Sequence, residues 1–280
     1  MLENIFKMAQ KVPGIIGIGV SGLVDHAKKT VDSAMRAQWN GYAKRILIVA
    51  TSETFEEIGA VDTSLVSIVS EDPETDLIKL LDGEVNGIVR GSLDANKMLA
   101  ALKSKFRLSF LARLALLETS GSHRFFFAPI GIDEGRTVKE KVYFISEGVK
   151  LIQSLGNVPK VAVLSGGRTS DVGRDKRVDN TIKEAENVVK EAKREIGDTD
   201  IKHYEILIEN AIADKANLII APDGISGNLI YRTLIHLGAG GSCGAPFLGL
   251  PKPVVDTSRV GPIDEYVSAI AFASALVTKA

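Results

Sequence analysis

The stretch NLIIAPDGISGNLIYRTL, residues 217–234, reads as one unit: an apolar strand, a turn built on Asp and Gly, and a helix. The same grammar recurs along the chain. Short apolar runs rich in β-branched residues lie at 14–20, 45–50, 65–70, 85–90, 160–164 and 217–221, most of them separated by helix-like segments. A parallel strand covered on both faces needs apolar side chains on both sides, so the alternation predicts an α/β chain with mostly parallel sheets in three α/β/α layers. The clearest helix spans 180–196, where Ile182, Ala185, Val188, Val189, Ala192 and Ile196 form one stripe and charged residues form a solvated face. Residues 108–119 and 124–130 break the pattern, because only SGSH separates them; they predict an antiparallel hairpin at which the chain enters a second domain.

Composition narrows the function. A chain of 280 residues favours two domains over one small core. Lys and Arg number 34 against 35 Asp and Glu, for a net charge of -1, so no global field recommends nucleic acid or an anionic membrane as partner. Cys243 is the only cysteine, which excludes a disulfide framework and a multi-cysteine zinc site and fits a reducing, cytoplasmic compartment. Set in GGSCGAP with no visible histidine to activate it, it reads as a small buried residue. The four histidines, at 26, 123, 203 and 236, lack ligand spacing, and no metal site is expected. The start, MLENIFKMAQKVPG, lacks the pattern of a signal peptide. The apolar stretch 266–277 is shorter than the roughly twenty residues of a membrane span and predicts a buried helix.

The spacing G-x-G-x-x-G occurs at Gly17 to Gly22, as in dinucleotide sites. The acidic residue such a site needs at the end of the next strand is poorly placed: Ala50 and Thr51 come first, and Glu53 lies beyond a helix cap. Gly17 and Gly19 therefore read as positions of close helix-on-strand packing.

Two segments carry a chemical logic. In DGISGN, residues 223–228, Gly224 and Gly227 would let the backbone approach a ligand, while Asn228 and the free N–H groups at the helix start would receive an anion; an ordinary capped turn is the alternative. In KPVVDTSR, residues 252–259, prolines stiffen the approach to Asp256, Ser258 and Arg259, setting a hydroxyl beside a guanidinium before a helix that begins near Pro262. Arginine matches the paired oxygens of a phosphate; an Asp256–Arg259 pair that merely closes the loop is the alternative.

These residues resemble a family signature. The run 222–277 is similar to the C-terminal part of the phosphate acetyl/butyryltransferases at Asp223, Gly227-Asn228, Tyr231-Arg232, Gly249-Leu250, Lys252-Pro253, Asp256 and Ser258-Arg259. The DG-x-x-GN core also resembles the fatty-acid enzyme that makes acyl phosphate from acyl carrier protein. PKVAVLSGGRTSDVG, residues 159–173, resembles the family's strand and Ser-rich loop, and VNGIVRGSLDANKMLAAL, residues 85–102, its first-domain strand and helix. Within the family the chain is similar to the archaeal MtxX group, a methanogenesis marker associated by name with methyl transfer, although no S-adenosylmethionine loop is visible.

The resemblance implies the isocitrate/isopropylmalate dehydrogenase-like fold, two α/β domains flanking a cleft, with the chain returning to the first domain near Phe247. The division it implies is 1–107 plus 247–280 for the first domain and 108–246 for the second, with a homodimer through the second. It implies that coenzyme A thiolate attacks an acyl phosphate, Arg259 binding phosphate and Ser258 orienting the thioester or its tetrahedral intermediate. Coenzyme A or an acyl carrier is then a substrate, and no covalently bound cofactor is implied. The family's proton-accepting Asp falls at Glu265, one methylene longer, with Asp264 just before it. A misplacement of about 1 Å can cost about a hundredfold in rate. The arginine expected in the first-domain helix aligns with Ala100, and the segment that supplies a second is shortened. Arg90, ending a strand before Gly91-Ser92, and Arg168, in the SGGR loop with Ser165, are the candidate replacements; Gly227, Asn228 and Lys252 complete the expected phosphate-binding set. The missing arginines motivate a second reading, an accessory subunit of a methyl-transfer or cofactor-assembly system that binds a phosphorylated ligand. A nucleotide-linked dehydrogenase is a third, disfavoured at GIGVSG.

Overall fold

A computed structural model describes residues 1–277; residues 278–280, the end of the first domain expected from the sequence, lie outside the described residues. From the N-terminus the chain forms α1 (Leu2–Lys11), β1 (Gly14–Gly19), α2 (Val24–Trp39), β2 (Ala43–Ala50), α3 (Ser52–Ile58), β3 (Val66–Val69), α4 (Pro73–Lys79), β4 (Gly87–Val89) and α5 (Ala95–Phe106). It continues through β5 (Ala115–Glu118), β6 (Arg124–Ala128), α6 (Val138–Ser154), β7 (Lys160–Val163), α7 (Lys176–Ile196), β8 (Asp200–His203), α8 (Ile208–Ala213), β9 (Leu218–Ile220) and α9 (Gly224–His236). The last elements are β10 (Gly241–Ser242), β11 (Ala245–Pro246), β12 (Val254–Asp256) and α10 (Ile263–Val277). Short 3-10 turns occupy Leu80–Asp82 and Thr169–Asp171.

The chain divides into two compact units, one of Leu2–Leu111 with the chain from Cys243 onward, the other of Ala112–Ser242 with Met1. Each is built on a six-stranded, mostly parallel mixed sheet. In the unit that begins at Leu2 the order is β11-β12-β4-β1-β2-β3, parallel except where β11 meets β12. In the other the order is β10-β5-β6-β9-β7-β8; β5 pairs antiparallel with β6 and β10 with β5, and the rest is parallel.

The first sheet shows why its strands read as continuous apolar runs. Along β2, Ile46 and Ile48 enter one core with Ala27, Ala34, Tyr266 and Ile270, while Leu47 and Val49 enter another with Leu77, Ile88 and Met98. Side chains alternate across a strand, so both faces must be apolar when both are covered. The helix α10, buried from Glu265 to Ala275 except for Val267, begins three residues before the stretch the sequence marked. Gly17 packs against a helix as the sequence suggests, whereas Gly19 packs against the loop after β4. A Cβ on Gly17 would sit 3.1 Å from Leu77 Cδ1, and one on Gly19 would overlap the Leu93 side chain. Four strands were not foreseen, among them the two-residue β10 and β11. Val254–Asp256 was read as a proline-stiffened loop but pairs in parallel with β4, and Asp200–His203 forms the edge of the second sheet. Among the described residues no helix is long and apolar enough to cross a membrane.

Candidate functional site

Parallel pairing of β12 with β4 aligns Val255 with Val89, which brings the next residues, Asp256 and Arg90, side by side at the strands' C-terminal ends. Arg90 is 5% exposed. Its Nε pairs with Asp256 Oδ1, one terminal nitrogen donates to Leu93 O at 2.6 Å, and the other donates to Thr257 O. Thr257 Oγ1 in turn donates to Gly91 O at 2.9 Å. A buried cation is tolerable only when its donors are satisfied, and here the chain supplies the acceptors. Arg90 therefore ties two loops together instead of offering the free phosphate-binding guanidinium that the sequence suggested. Asp256 finds its cation in Arg90 and not in Arg259.

Beyond Thr257 the chain makes a turn closed by Gly261 N–H donating to Ser258 O at 2.9 Å. A buried carboxyl and a half-buried ammonium hold its inner side. Glu265 Oε1 accepts the Ser258 N–H at 2.7 Å, and Lys29 Nζ donates to Arg259 O at 2.8 Å and to Gly261 O at 2.7 Å. The Lys29 ammonium lies 4.6 Å from the centroid of the Tyr266 ring, a cation–π contact. Arg259 reaches Asp94 Oδ2 and Leu93 O, each at 3.4 Å, while its buried Nε has no partner among the described residues. Ser258 is half-buried, and Asp264 is exposed at the start of α10.

Glu265 is 1% exposed, and its Oε2 also has no partner among the described residues. That oxygen packs so closely under the turn that a Cβ on Gly261 would overlap it. Burial pushes the carboxyl up to about 7; the Ser258 N–H opposes this, the Asp256 charge adds to it, and Lys29 and Arg90 oppose it. The sign follows directly. Between the ordinary value of 4.5 and about 7, the folded chain keeps a proton that the unfolded chain releases, so this contribution to stability is lost as pH rises through the window. The full shift corresponds to about 3 kcal/mol. Glu265→Gln keeps an oxygen acceptor for Ser258 and removes the charge. Urea unfolding at pH 5 and pH 8 should show a smaller loss of stability between the two in the variant than in the parent; equal losses would refute the assignment.

The other unit places its candidates at the ends of β6, β7 and β9. Asp223 caps α9, its Oδ1 accepting Ser226 N–H at 2.8 Å. A Cβ on Gly224 would overlap Gly131 O, one on Gly227 would overlap Pro129 O, and Asn228 Nδ2 donates to Ile130 O at 2.8 Å. The two glycines thus admit the chain's own 129–131 backbone, and the helix start already holds a carboxylate. The geometry of DGISGN is that of the capped-turn alternative. Ser165 is buried, donating from Oγ to Gly167 O at 2.8 Å and lying 2.8 Å from His203 Nε2, whereas Arg168 is exposed. Burial holds the His203 imidazole below its ordinary value. Thr169, His203, Tyr204, Glu205, Asn210 and Asp214 line a cavity of about 440 Å³.

Of the candidates, Ser258, Arg259, Asp264 and Glu265 are gathered on one turn and the helix after it, with Arg90 beneath them. Lys252 is held elsewhere in that unit by a 2.9 Å bond to Val85 O. Ser165, Arg168, Gly227 and Asn228 belong to the second unit. Lys29 was missed. Its signal is faint: it shares one helical row with Ser33 and Ala37, both buried, so a cation there needs acceptors. Among the described residues no group of three or more His, Cys, Asp or Glu is placed to hold a metal.

Comparison with known proteins adds to this geometry. A Methanosarcina mazei protein, provisionally named methyltransferase mtx subunit X, is 45% identical over 91% of this chain and 88% of its own length. Its namesake from Methanosarcina acetivorans is likewise 45% identical, over 91% and 88%. Among solved structures, EutD phosphotransacetylase from Staphylococcus aureus superposes with a TM-score of 0.71 at 17% identity, covering 99% of each chain, a likeness of fold. The sequence pattern described as phosphate acetyl/butaryl transferase matches residues 77–274, which include the whole Asp256–Glu265 site, and the chain belongs to that family.

Proposed function

We propose that this chain transfers an acyl group between phosphate and a thioester carrier, coenzyme A or a similar thiol. In the direction of thioester formation, the thiolate sulfur attacks the acyl carbon of an acyl phosphate. A C–S bond forms, the bond from that carbon to the phosphate oxygen breaks, and phosphate leaves with the electron pair. Arg259 neutralises the phosphate, and Ser258 Oγ donates to the acyl oxygen as negative charge collects there. Of the two carboxylates at the start of α10, Glu265 is buried beneath the turn and orders it, while Asp264 is open to take the thiol proton.

The observation that carries this reading is the Ser258–Gly261 turn, held from within by Glu265 and Lys29, with the Arg259 Nε buried and unmatched. A polar donor hidden without an acceptor is costly, and a bound anion near Arg259 would supply one. Incubating the purified protein with coenzyme A and acyl phosphates from acetyl to butyryl should give thioester in proportion to enzyme. No thioester above the uncatalysed rate with any of them would remove the proposal.

The dehydrogenase-like form of the fold and a cytoplasmic homodimer belong to the same proposal. In support of the dimer, α9 buries only Gly224 and Gly227 and leaves Ile225 and Leu229, one turn apart, exposed. Sedimentation at the mass of one chain, 30.0 kDa, would exclude it. A second reading, an accessory subunit of a methyl-transfer system, gains from the burial of Glu265 and from the names of the Methanosarcina relatives. A stable co-purifying partner together with no turnover would favour it.

A further inference from the structure

Lys29 lies outside residues 77–274, so nothing in the family pattern assigns it a task. The helix α2 carries it to the inner side of the Ser258–Gly261 turn. An ammonium has three hydrogens to place, and here two meet the carbonyls of Arg259 and Gly261 while the third is left facing the Tyr266 ring. Glu265 grips the same turn by the Ser258 N–H. The inner face is thus fixed at three points, Ser258 N, Arg259 O and Gly261 O.

The outer face follows from peptide geometry. The only cis peptide bond among the described residues is Ala128–Pro129, so the Arg259–Val260 peptide is trans. Across a trans peptide the C=O and N–H point in opposite directions. With the Arg259 carbonyl drawn inward to Lys29, the Val260 N–H is aimed outward, at a residue that is 62% exposed. It has no acceptor among the described residues. The charge on Lys29 further polarises the amide whose oxygen it holds, which makes the N–H a better donor.

We propose that Lys29 is a positioning residue for the anion site: by holding the carbonyls of Arg259 and Gly261 it turns the Val260 N–H outward between Ser258 and the end of the turn, adding a main-chain donor for an oxygen of the phosphorylated ligand. The ligand in this statement rests on the acyl-transfer reading, whereas the hold on the turn does not. The site then recognises a tetrahedral oxyanion by three unlike donors, a guanidinium, a hydroxyl and a backbone amide, and the last exists only in the conformation that Lys29 enforces.

The test uses the full chain with Lys29→Met, which keeps the apolar stem against Tyr266, and Lys29→Arg, which keeps the charge. Hydrogen exchange without ligand should run about tenfold faster at the Ser258 and Gly261 amides of Lys29→Met, with the strands of the same unit unchanged. Inorganic phosphate, titrated by calorimetry, should bind about tenfold more weakly to Lys29→Met, and Lys29→Arg should recover most of the affinity. In turnover, KM for phosphate should rise while KM for the thioester stays the same. Unchanged exchange at the turn, or phosphate affinity equal to the parent's, overturns the proposal. Should Lys29→Met unfold, a folded Lys29→Arg that binds phosphate no better than Arg259→Ala overturns it, and one near the parent supports it. If the parent itself binds no phosphate, the acyl-transfer reading falls, and the exchange comparison alone decides whether Lys29 shapes the turn.

Discussion

Arg90→Ala should lower the stability of its unit by about 3–5 kcal/mol, the range for removing one partner of a buried ion pair. The expected size comes from what stays behind. Asp256 keeps its place at the end of β12 and is 7% exposed, so its charge remains in the interior without a cation. The Thr257 carbonyl also loses its donor, a buried acceptor whose abandonment costs about 1–3 kcal/mol if nothing relaxes to meet it, and Leu93 O is left with the longer 3.4 Å bond from Arg259 alone. Relaxation is limited, because Thr257 Oγ1 is bonded to Gly91 O and a Cβ on Gly91 itself would overlap Gly19 O. Lysine is no substitute: Arg90 serves three acceptors from a planar fork, and an ammonium on a flexible stem cannot reproduce that fan. Replacing Arg90 and Asp256 together with apolar residues should cost less than Arg90→Ala alone, since no charge is then stranded. Urea titrations of the three proteins decide the matter; a midpoint for Arg90→Ala equal to the parent's would show that the pair holds nothing.

The contrast between Arg90 and Arg259 also shows where sequence reading stops. The α/β alternation was legible because strands covered on both faces leave continuous apolar runs, as β2 does with Ile46 and Ile48 toward one core and Leu47 and Val49 toward the other. Gly17 was legible for the same local reason, since a glycine inside an apolar run announces close packing. Val254–Asp256 was not, because three residues after two prolines carry no periodicity, and only pairing with β4 makes them a strand. In DGISGN the glycines correctly signalled a close approach, but nothing local tells whether a ligand or residues 129–131 will make it. The partner of Asp256 was chosen by strand register, which sets Arg90, 166 positions away, closer than Arg259 three positions on. Lys29 is further still, 230 positions from the carbonyl it holds. Ser258 and Arg259 stood out because adjacent residues share a turn whatever the rest of the chain does. The groups that give the turn its shape come from distant segments, and their coincidence is a property of the packed unit.

Arg259→Ala should separate activity from stability in the opposite sense to Arg90→Ala. Its side chain is 41% exposed, and its one ion pair, with Asp94 at 3.4 Å, joins two partly solvated groups. Such a pair is worth at most about 1 kcal/mol, so the urea midpoint should hardly move. Phosphate-dependent acyl transfer should nevertheless fall by about 100- to 1000-fold, which is the loss of about 3–4 kcal/mol seen when one fixed donor to a developing charge is removed. On the proposed function the same guanidinium would be dispensable to the fold and central to the reaction, because solvent screens its resting partner whereas a bound phosphate would exclude that solvent and take up the unmatched Nε. Arg259→Lys should recover only part of the rate, since a point charge meets one phosphate oxygen where the fork meets two. The parent, Arg259→Ala and Arg259→Lys need to be assayed at saturating thiol with phosphate or acyl phosphate varied. A full rate in Arg259→Ala would place phosphate recognition elsewhere in the chain, and a collapse of stability together with the rate would make Arg259 a second structural pin like Arg90.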